Sequence, residues 1–458
     1  MSNKETSSII NKYARYLNQH NEFSDWLSAA DNSMDNSLRI NAINEFQKIG
    51  FPTALRGNEA WKFTNVNPIA NQDFDFNFKD QDTELNSKMI SEVGPYSDQW
   101  NTITLVNGIY NKVLSRTHDA GILIKTFGSK DTNCSLGTHA DVKANGFIAI
   151  NTAFINDGAE ILVSKDYEAA APINIVHVST GESAPRVTYP RILITLESNS
   201  SASIIESYVS INSDSQFTNA VTEISVGEGS VLKHFRYLEE DPSGFHIGST
   251  VVDQSSDSSF NTVSYSKGAK IARNDLLVRL NGAGASCDVR GLYFTEGNQH
   301  MDNHINVDHA APNTYSNQYF KGILADNSRA VFSGKTLIRK IAQKSEAYQS
   351  DKNLLLSEGA RINTKPSLEI YADDIQAAHG ATAGAIPDEQ IMYMLARGLD
   401  METATSFLIK GFANEIIDSI TLDKFKTYLL NYFDTSLPKF RFQGFGRGKV
   451  YGGPVERV

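Results

Sequence analysis

Apolar residues recur at steps of three and four from Ile9 to about Phe51: Ile9, Tyr13, Tyr16 and Leu17, then Phe23, Trp26 and Leu27. That spacing puts them on one face of a helix. A further segment carrying Ile43 and Phe46 ends at Gly50 with Pro52 just beyond, which is stop chemistry, so a packed helical hairpin is expected. From about Asn101 to Gly384 the pattern becomes a series of short β-type runs, among them Thr102–Val106, Arg191–Leu196, Ala202–Tyr208, Ala220–Val226 and Val331–Ile338. Gly, Asn, Asp and Ser separate them, with Gly227, Gly229, Gly282, Gly284 and Gly359 where tight bends are expected. No long helical period interrupts the series. So many strands must stack into a sandwich, propeller or solenoid, because no strand pair buries its apolar face alone. A β-helix is the reading adopted, although no repeat motif stands out and periodicity leaves a β-sandwich open.

The helical period returns at Pro387, expected in a first-turn position, with Asp388 and Glu389 suited to the helix N-terminus and Gly398 just past the end. Asp400 is placed to cap a helix carrying Ala404, Phe407, Leu408, Phe412 and Ile416, and Thr421 one carrying Leu422, Phe425, Leu429 and Tyr432. The expected organisation is therefore an N-terminal helical region over 1–100, a β-helix core over 101–384, a C-terminal helical domain over 385–435 and a flexible, Gly-rich, mildly basic tail over 436–458.

Composition narrows the function. The 458 residues carry a formal net charge of −11, which argues against nucleic acid, since binding it rests on clustered Lys and Arg. No run of about 18 apolar residues occurs, and Met1 to Thr6 lack the basic and apolar regions of a secretion signal, so a cytoplasmic protein with no membrane partner is expected. Only Cys134 and Cys287 occur, too few for a disulfide framework or a paired-cysteine metal site.

Candidate chemistry is sparse. Ser333-Gly334-Lys335-Thr336 looks like the end of a phosphate loop, but Arg329 stands where that loop needs glycine, and the segment lies in a β-type run. His300, His304 and His309, with Asp302 and Asp308, invite a metal reading without a diagnostic spacing. Asp373 and Asp374 suggest the acid/base pair of a carbohydrate-active β-helix enzyme, yet adjacent strand residues face opposite ways. No nucleophile elbow occurs, and no catalytic residue is assigned. His379 stands at the seam between the β region and the C-terminal helices.

Several segments together resemble the SufB/SufD family of iron–sulfur cluster assembly proteins. They are Phe320-Lys321-Gly322-Ile323-Leu324, Ala330-Val331-Phe332-Ser333-Gly334, Ala342-Gln343, Asn353-Leu354-Leu355-Leu356-Ser357, the run from Thr364 to Asp374, His379-Gly380-Ala381-Thr382, Asp388-Glu389-Gln390 and Ala396-Arg397-Gly398, with Glu59-Ala60-Trp61-Lys62-Phe63-Thr64-Asn65 near the start. Gly380 is on the SufD-like side of the family, where the SufB-like version has a glutamate. The resemblance implies a right-handed parallel β-helix between N-terminal and C-terminal helical domains. It also implies a non-catalytic scaffold role, with the β-helix end pairing with a SufB-like subunit and the C-terminal helices docking a SufC-like ATPase. It places His379 at the shared interface, as a cluster-assembly residue and metal ligand. No stably bound cofactor is expected, only a transient iron–sulfur cluster at that interface. When the partner is missing, a homodimer across the same edge is an expected substitute. Many SufD-like sequences carry a cysteine two residues before the histidine; this chain has Ala377, so a thiol there would come from the partner. Cys134 and Cys287 match no family ligand motif and are read as core residues. The rivals are the carbohydrate-active enzyme, which needs a groove of converging carboxylates, and a stand-alone metal-binding protein, which needs the three histidines to converge.

Overall fold

A computed structural model of the chain describes residues 3–29, 36–54, 58–76, 85–127, 136–181, 185–213 and 215–436. Its centre is a parallel β-solenoid of two ten-stranded sheets. From Arg191–Leu196 onward, strands consecutive in sequence alternate between the sheets, so each coil lays one strand in each, and pairing is parallel and in register coil upon coil; Asn101–Val106 with Ile109–Tyr110, and Ile122–Thr126 with Ala159–Val163, pair antiparallel at the start. A parallel pair needs such a crossover, and here the opposite sheet supplies it.

Eight helices accompany the described part of the solenoid. Helices α1 (Asn3–Ala29), α2 (Asn36–Ile49), α3 (Asn67–Asn71) and α4 (Ser87–Val93) precede it, α5 (Gly146–Ala153) interrupts it, and α6 (Asp388–Leu395), α7 (Met401–Ile417) and α8 (Asp423–Ser436) follow it. Tyr16, Phe23 and Leu27 of α1 and Ile43 and Phe46 of α2 are buried with Trp61, Phe147, Phe217 and Phe245, which fastens the N-terminal helices to the outer face of one sheet. Gly50 ends α2 with φ 62°, a conformation only glycine adopts without strain. On the other sheet, Ile409, Ala413 and Ile416 of α7 and Phe425 and Leu429 of α8 pack against Phe235, Tyr237 and Tyr265. Each such aromatic or aliphatic side chain contributes about 2 kcal/mol on burial.

These coverings explain the strand patterns. Phe217–Val226 is buried at nearly every position because both of its faces are covered, and it reads as a continuous apolar run. Ser345–Leu355, farther along, alternates buried and accessible residues because its outer face is left open.

The structure refines the sequence expectations in four places. The apolar segment Gly146–Ala153 is a short helix, buried throughout, capped by the Asn145 side chain, which accepts from the amides of Phe147 and Ile148 at 2.9 Å. Its β-branched, two-sided apolarity mimics a core strand. Pro387 sits at the N-cap of α6 in extended backbone, one position before the first turn. Asp400 caps α7 through the Thr403 amide at 2.8 Å as expected, whereas α8 starts at Asp423 and not directly after Thr421. Ser436 still belongs to α8; the rest of the 436–458 tail, the Met1 start and Cys134 lie outside the described residues.

One hidden repeat appears. Asn199, Gly229, Asp257, Gly284, Asn313 and Lys344 all have positive φ, roughly thirty residues apart, one at the same corner of each successive coil. They stack, each donating its amide to the next coil: Asn199 to the Glu228 carbonyl at 2.8 Å, Asp257 to Ala283 at 2.9 Å, Lys344 to Asp374 at 2.6 Å. Gly, Asn and Asp tolerate this left-handed corner best, which is why one of them stands at every coil but the last.

Candidate functional site: the open end of the solenoid

The last strand of one sheet is Ile375–Gly384, and the last of the other is Arg361–Ile370; neither has a further strand beside it. The register of Ile375–Gly384 on Ser345–Leu355 pairs Ala347 with Ala377, Gln349 with His379 and Asp351 with Ala381. Ala347, Gln349 and Asp351 are buried and face the interior, so Ala377, His379 and Ala381 continue the interior row into a coil that nothing covers. Every residue from Ala378 to Ala385 is accordingly exposed. His379 makes no hydrogen bond or ion pair among the described residues, and the alanines on either side of it in that row leave its imidazole unobstructed.

The two terminal strands differ in how their edges are protected. Arg361–Ile370 carries Lys365 and Pro366 at its centre, and Lys365 is held by Glu59 at 2.7 Å. Lysine and proline are the usual devices that blunt an edge. Ile375–Gly384 has neither proline nor lysine, nor any carboxylate, over its ten residues. Its unpaired backbone donors and acceptors form a ready pairing template.

Beneath this end the interior is polar. Gln349 donates to the Thr336 hydroxyl at 2.7 Å and Gln318 to the same oxygen at 3.0 Å. Asp351 accepts from Asn353 at 2.7 Å through one oxygen, while the other finds no partner, and burial pushes its carboxyl up to about 7. Deeper in, Glu206 accepts from Thr222 at 2.6 Å and Tyr208 at 2.9 Å; burial pushes its carboxyl up, but His177 at 3.6 Å and His234 at 3.2 Å outweigh that and hold it well below the usual carboxylate range. Sequence reasoning missed these inward polar residues, because a Gln, Asp or Glu in an alternating strand reads as solvent-facing.

The three histidines of the metal reading do not converge. His309 points inward, between Thr314 and Ser316 at 2.8 Å each, and burial lowers it to about 4, so it is neutral. His300 faces outward, with the Thr64 hydroxyl at 2.9 Å. That hydroxyl donates to Asp302 at 2.5 Å, and Arg273 binds both Asp302 at 2.5 Å and the Ala60 carbonyl at 2.7 Å while lying over Trp61 at 3.7 Å. The Glu59–Asn65 motif is thus a clamp between the N-terminal region and the solenoid. No group of three or more His, Cys, Asp or Glu placed to hold a metal ion exists among the described residues. Cys287 lies buried in the interior, where desolvation raises its thiol far above its ordinary value and leaves it unreactive.

Asp373 and Asp374 form the exposed turn between the two last strands. A surface cavity of about 800 Å³ does gather Glu92, Glu239, Asp241 and Glu296 beside α8. Its central carboxylate, Glu239, is tied up by the Tyr237 and Tyr432 hydroxyls, and Lys267 lies 3.9 Å from Glu296. On the C-terminal helices, Met392 and Tyr393 of α6 and Phe407 of α7 remain 64%, 59% and 54% exposed. No described helix is long and apolar enough to cross a membrane.

Fold and site together define a two-sheet parallel β-solenoid, flanked by helices, whose final coil is left open with an unprotected strand edge. Residues 177–412 match the model of the SufBD core domain of the SUF iron–sulfur cluster assembly system, and residues 10–175 match the SufBD N-terminal region. The chain belongs to the SufBD family. It is 30% identical over 380 residues to an iron–sulfur cluster assembly SufBD family protein of Synechocystis, covering 80% of this chain and 83% of that protein. It is 27% identical over 406 residues to the iron–sulfur cluster assembly protein SufD of Escherichia coli, covering 86% and 92%. A SufBD family protein of Mycobacterium tuberculosis is 27% identical over 296 residues, covering 63% and 72%.

Proposed function

We propose that this chain is a non-catalytic scaffold subunit in iron–sulfur cluster assembly, which pairs with a SufB-like subunit through the strand Ile375–Gly384 and docks a SufC-like ATPase on its C-terminal helices. The observation that carries the reading is the uncovered, uncharged edge of that strand, on a solenoid whose other terminal edge is blunted. Strand addition to such an edge gives affinity through the main chain and specificity through side chains that alternate faces. His379 sits at the centre of the edge. A neutral imidazole is a suitable ligand for iron. One imidazole among alanines is a single ligand, so a nascent cluster, the cargo of the complex, takes its remaining ligands from the partner. The exposed Met392, Tyr393 and Phe407 form the face for the ATPase.

The test is co-purification of the chain with the SufB-like and SufC-like proteins of the same organism, with stoichiometry read by light scattering. A stable three-component complex is expected. The His379→Ala variant should enter that complex with its fold intact and fail in cluster assembly, and Phe407→Ser should lose the ATPase alone. A chain that ignores both partners overturns the scaffold reading, and normal assembly by the His379 variant removes the ligand role.

A further inference from the structure

The strand Ile375–Gly384 offers a partner its main chain and few side-chain landmarks. After Ile375 it reads Gln, Ala, Ala, His, Gly, Ala, Thr, Ala, Gly, and Ile375 packs with Ala377 against Ile338, Ala342, Ala347 and Ala372 of its own chain. Alanine and glycine have little to interlock, and in such a strand the pairing register is weakly specified. An added strand that slips by two residues keeps every side chain on its face but moves by about 7 Å. That is several times the ~2 Å of a metal–ligand bond, so a slipped partner cannot complete a site at His379. The register therefore has to be set from outside the strand.

The corner that leads into the strand has the means. Residues 371–374, between Ile370 and Ile375, stack on the longer corner of residues 339–344. The stack is tied at both ends: the Tyr371 amide donates to the Ile338 carbonyl at 2.9 Å, and the Lys344 amide to the Asp374 carbonyl at 2.6 Å. Between these ties the longer corner has residues to spare, and Ile341 stands out of it, 66% exposed. Tyr371, in the corner stacked on it, is 63% exposed. Ile370 pairs in register with the buried Ile338 and so continues an interior row, yet it is 41% exposed because no further coil covers it. From Arg329 to Gly384 these are the large apolar side chains left exposed. Exposed Lys340, Lys344, Asp373 and Asp374 give the corner a charged rim.

We propose that Ile341, Ile370 and Tyr371 are an apolar anchor for the SufB-like subunit, and that seating this anchor sets the register of the strand added to Ile375–Gly384. The inference rests on that strand being the docking edge. The anchor belongs to the same open end, and the corner runs directly into the strand, so a partner that pairs with the strand extends over the corner as well. Binding energy concentrates on large side chains enclosed by a polar rim, and tyrosine is prominent among them. A large ring and two isoleucines fit a partner surface in one seat, whereas the Ala- and Gly-rich strand accepts several.

The test substitutes Ile341→Ser together with Tyr371→Ser in the full chain. Both are exposed corner positions, so the fold is retained, and circular dichroism checks it. Binding to the SufB-like protein should weaken at least about tenfold. A photo-crosslinking side chain in place of Ala385, exposed just past the strand, reads the register. At saturating partner, the chain with its anchor intact should cross-link to one position on the partner, and the serine variant also to positions displaced by two residues. Tyr371→Phe keeps the ring and should keep the single position. No binding by the wild-type chain overturns the docking reading itself. Undiminished binding by the serine variant overturns the anchor alone, and weakened binding with a single, unchanged cross-linked position overturns its part in setting the register.

Discussion

Asp351 shows what the interior of this solenoid costs at a single residue. Its carboxyl is fully buried one strand from the open end, with one oxygen on Asn353 and the other unpaired, and burial raises it to about 7. A carboxyl raised in the fold is protonated there while still ionised in the unfolded chain. The folded state therefore binds the extra proton between about pH 4 and pH 7, and stability falls as pH rises through that window. At 1.36 kcal/mol per pH unit the loss is on the order of 3–4 kcal/mol by pH 8. Asp351→Asn keeps the shape and removes the titration. Urea unfolding from pH 4 to pH 8 should show a difference between variant and wild type that grows with pH and levels off above 7; a constant difference would mean that Asp351 is ionised throughout. His379 lies in the neighbouring strand, two residues before Ala381, the register partner of Asp351, and is its opposite: exposed and without a side-chain partner among the described residues.

At the scale of elements, the segment with the clearest structural task is the one around Trp61. Arg273 stacks on its ring and is itself anchored to Asp302, Asp275 and the Ala60 carbonyl, so one side chain from the solenoid grips the segment around Trp61. Trp61→Ala removes a buried indole and uncovers that guanidinium, and should destabilise the chain by about 3 kcal/mol in denaturant unfolding. A loss below about 1 kcal/mol would show that the clamp is dispensable. Much of this level was legible in the sequence. Tyr16, Phe23 and Leu27 mark α1, Gly50 its partner's end, and the Ile- and Val-rich runs mark strands. The corner residues Asn199, Gly229, Asp257, Gly284 and Asn313 were visible as turn formers, but their repeat is hidden because three residue types serve one backbone conformation. Helix α5 was illegible for a different reason: an apolar octapeptide buried on all sides has no periodicity to read. The inward Glu206, Gln318, Gln349 and Asp351 escaped because pairing across coils, which a linear reading cannot see, is what satisfies most of their polar atoms.

The whole molecule is a solenoid covered by helices over its earlier coils and open at its last one. Helices α1 and α2 cover one outer face and α7 and α8 the other, so the strand Ile375–Gly384 is the principal surface on which the fold leaves main-chain pairing unfinished. His379 was picked out in the sequence by its place at a seam and by family resemblance; the structure adds that it continues an interior row beyond the last covered coil. The most direct test of this arrangement is amide hydrogen exchange on the full chain, alone and with the SufB-like protein. Slowed exchange concentrated in residues 375–384 upon binding is the expected result, because strand addition closes those amides into new hydrogen bonds. Binding that leaves those amides exchanging as in the isolated chain would contradict a docking edge at the open end.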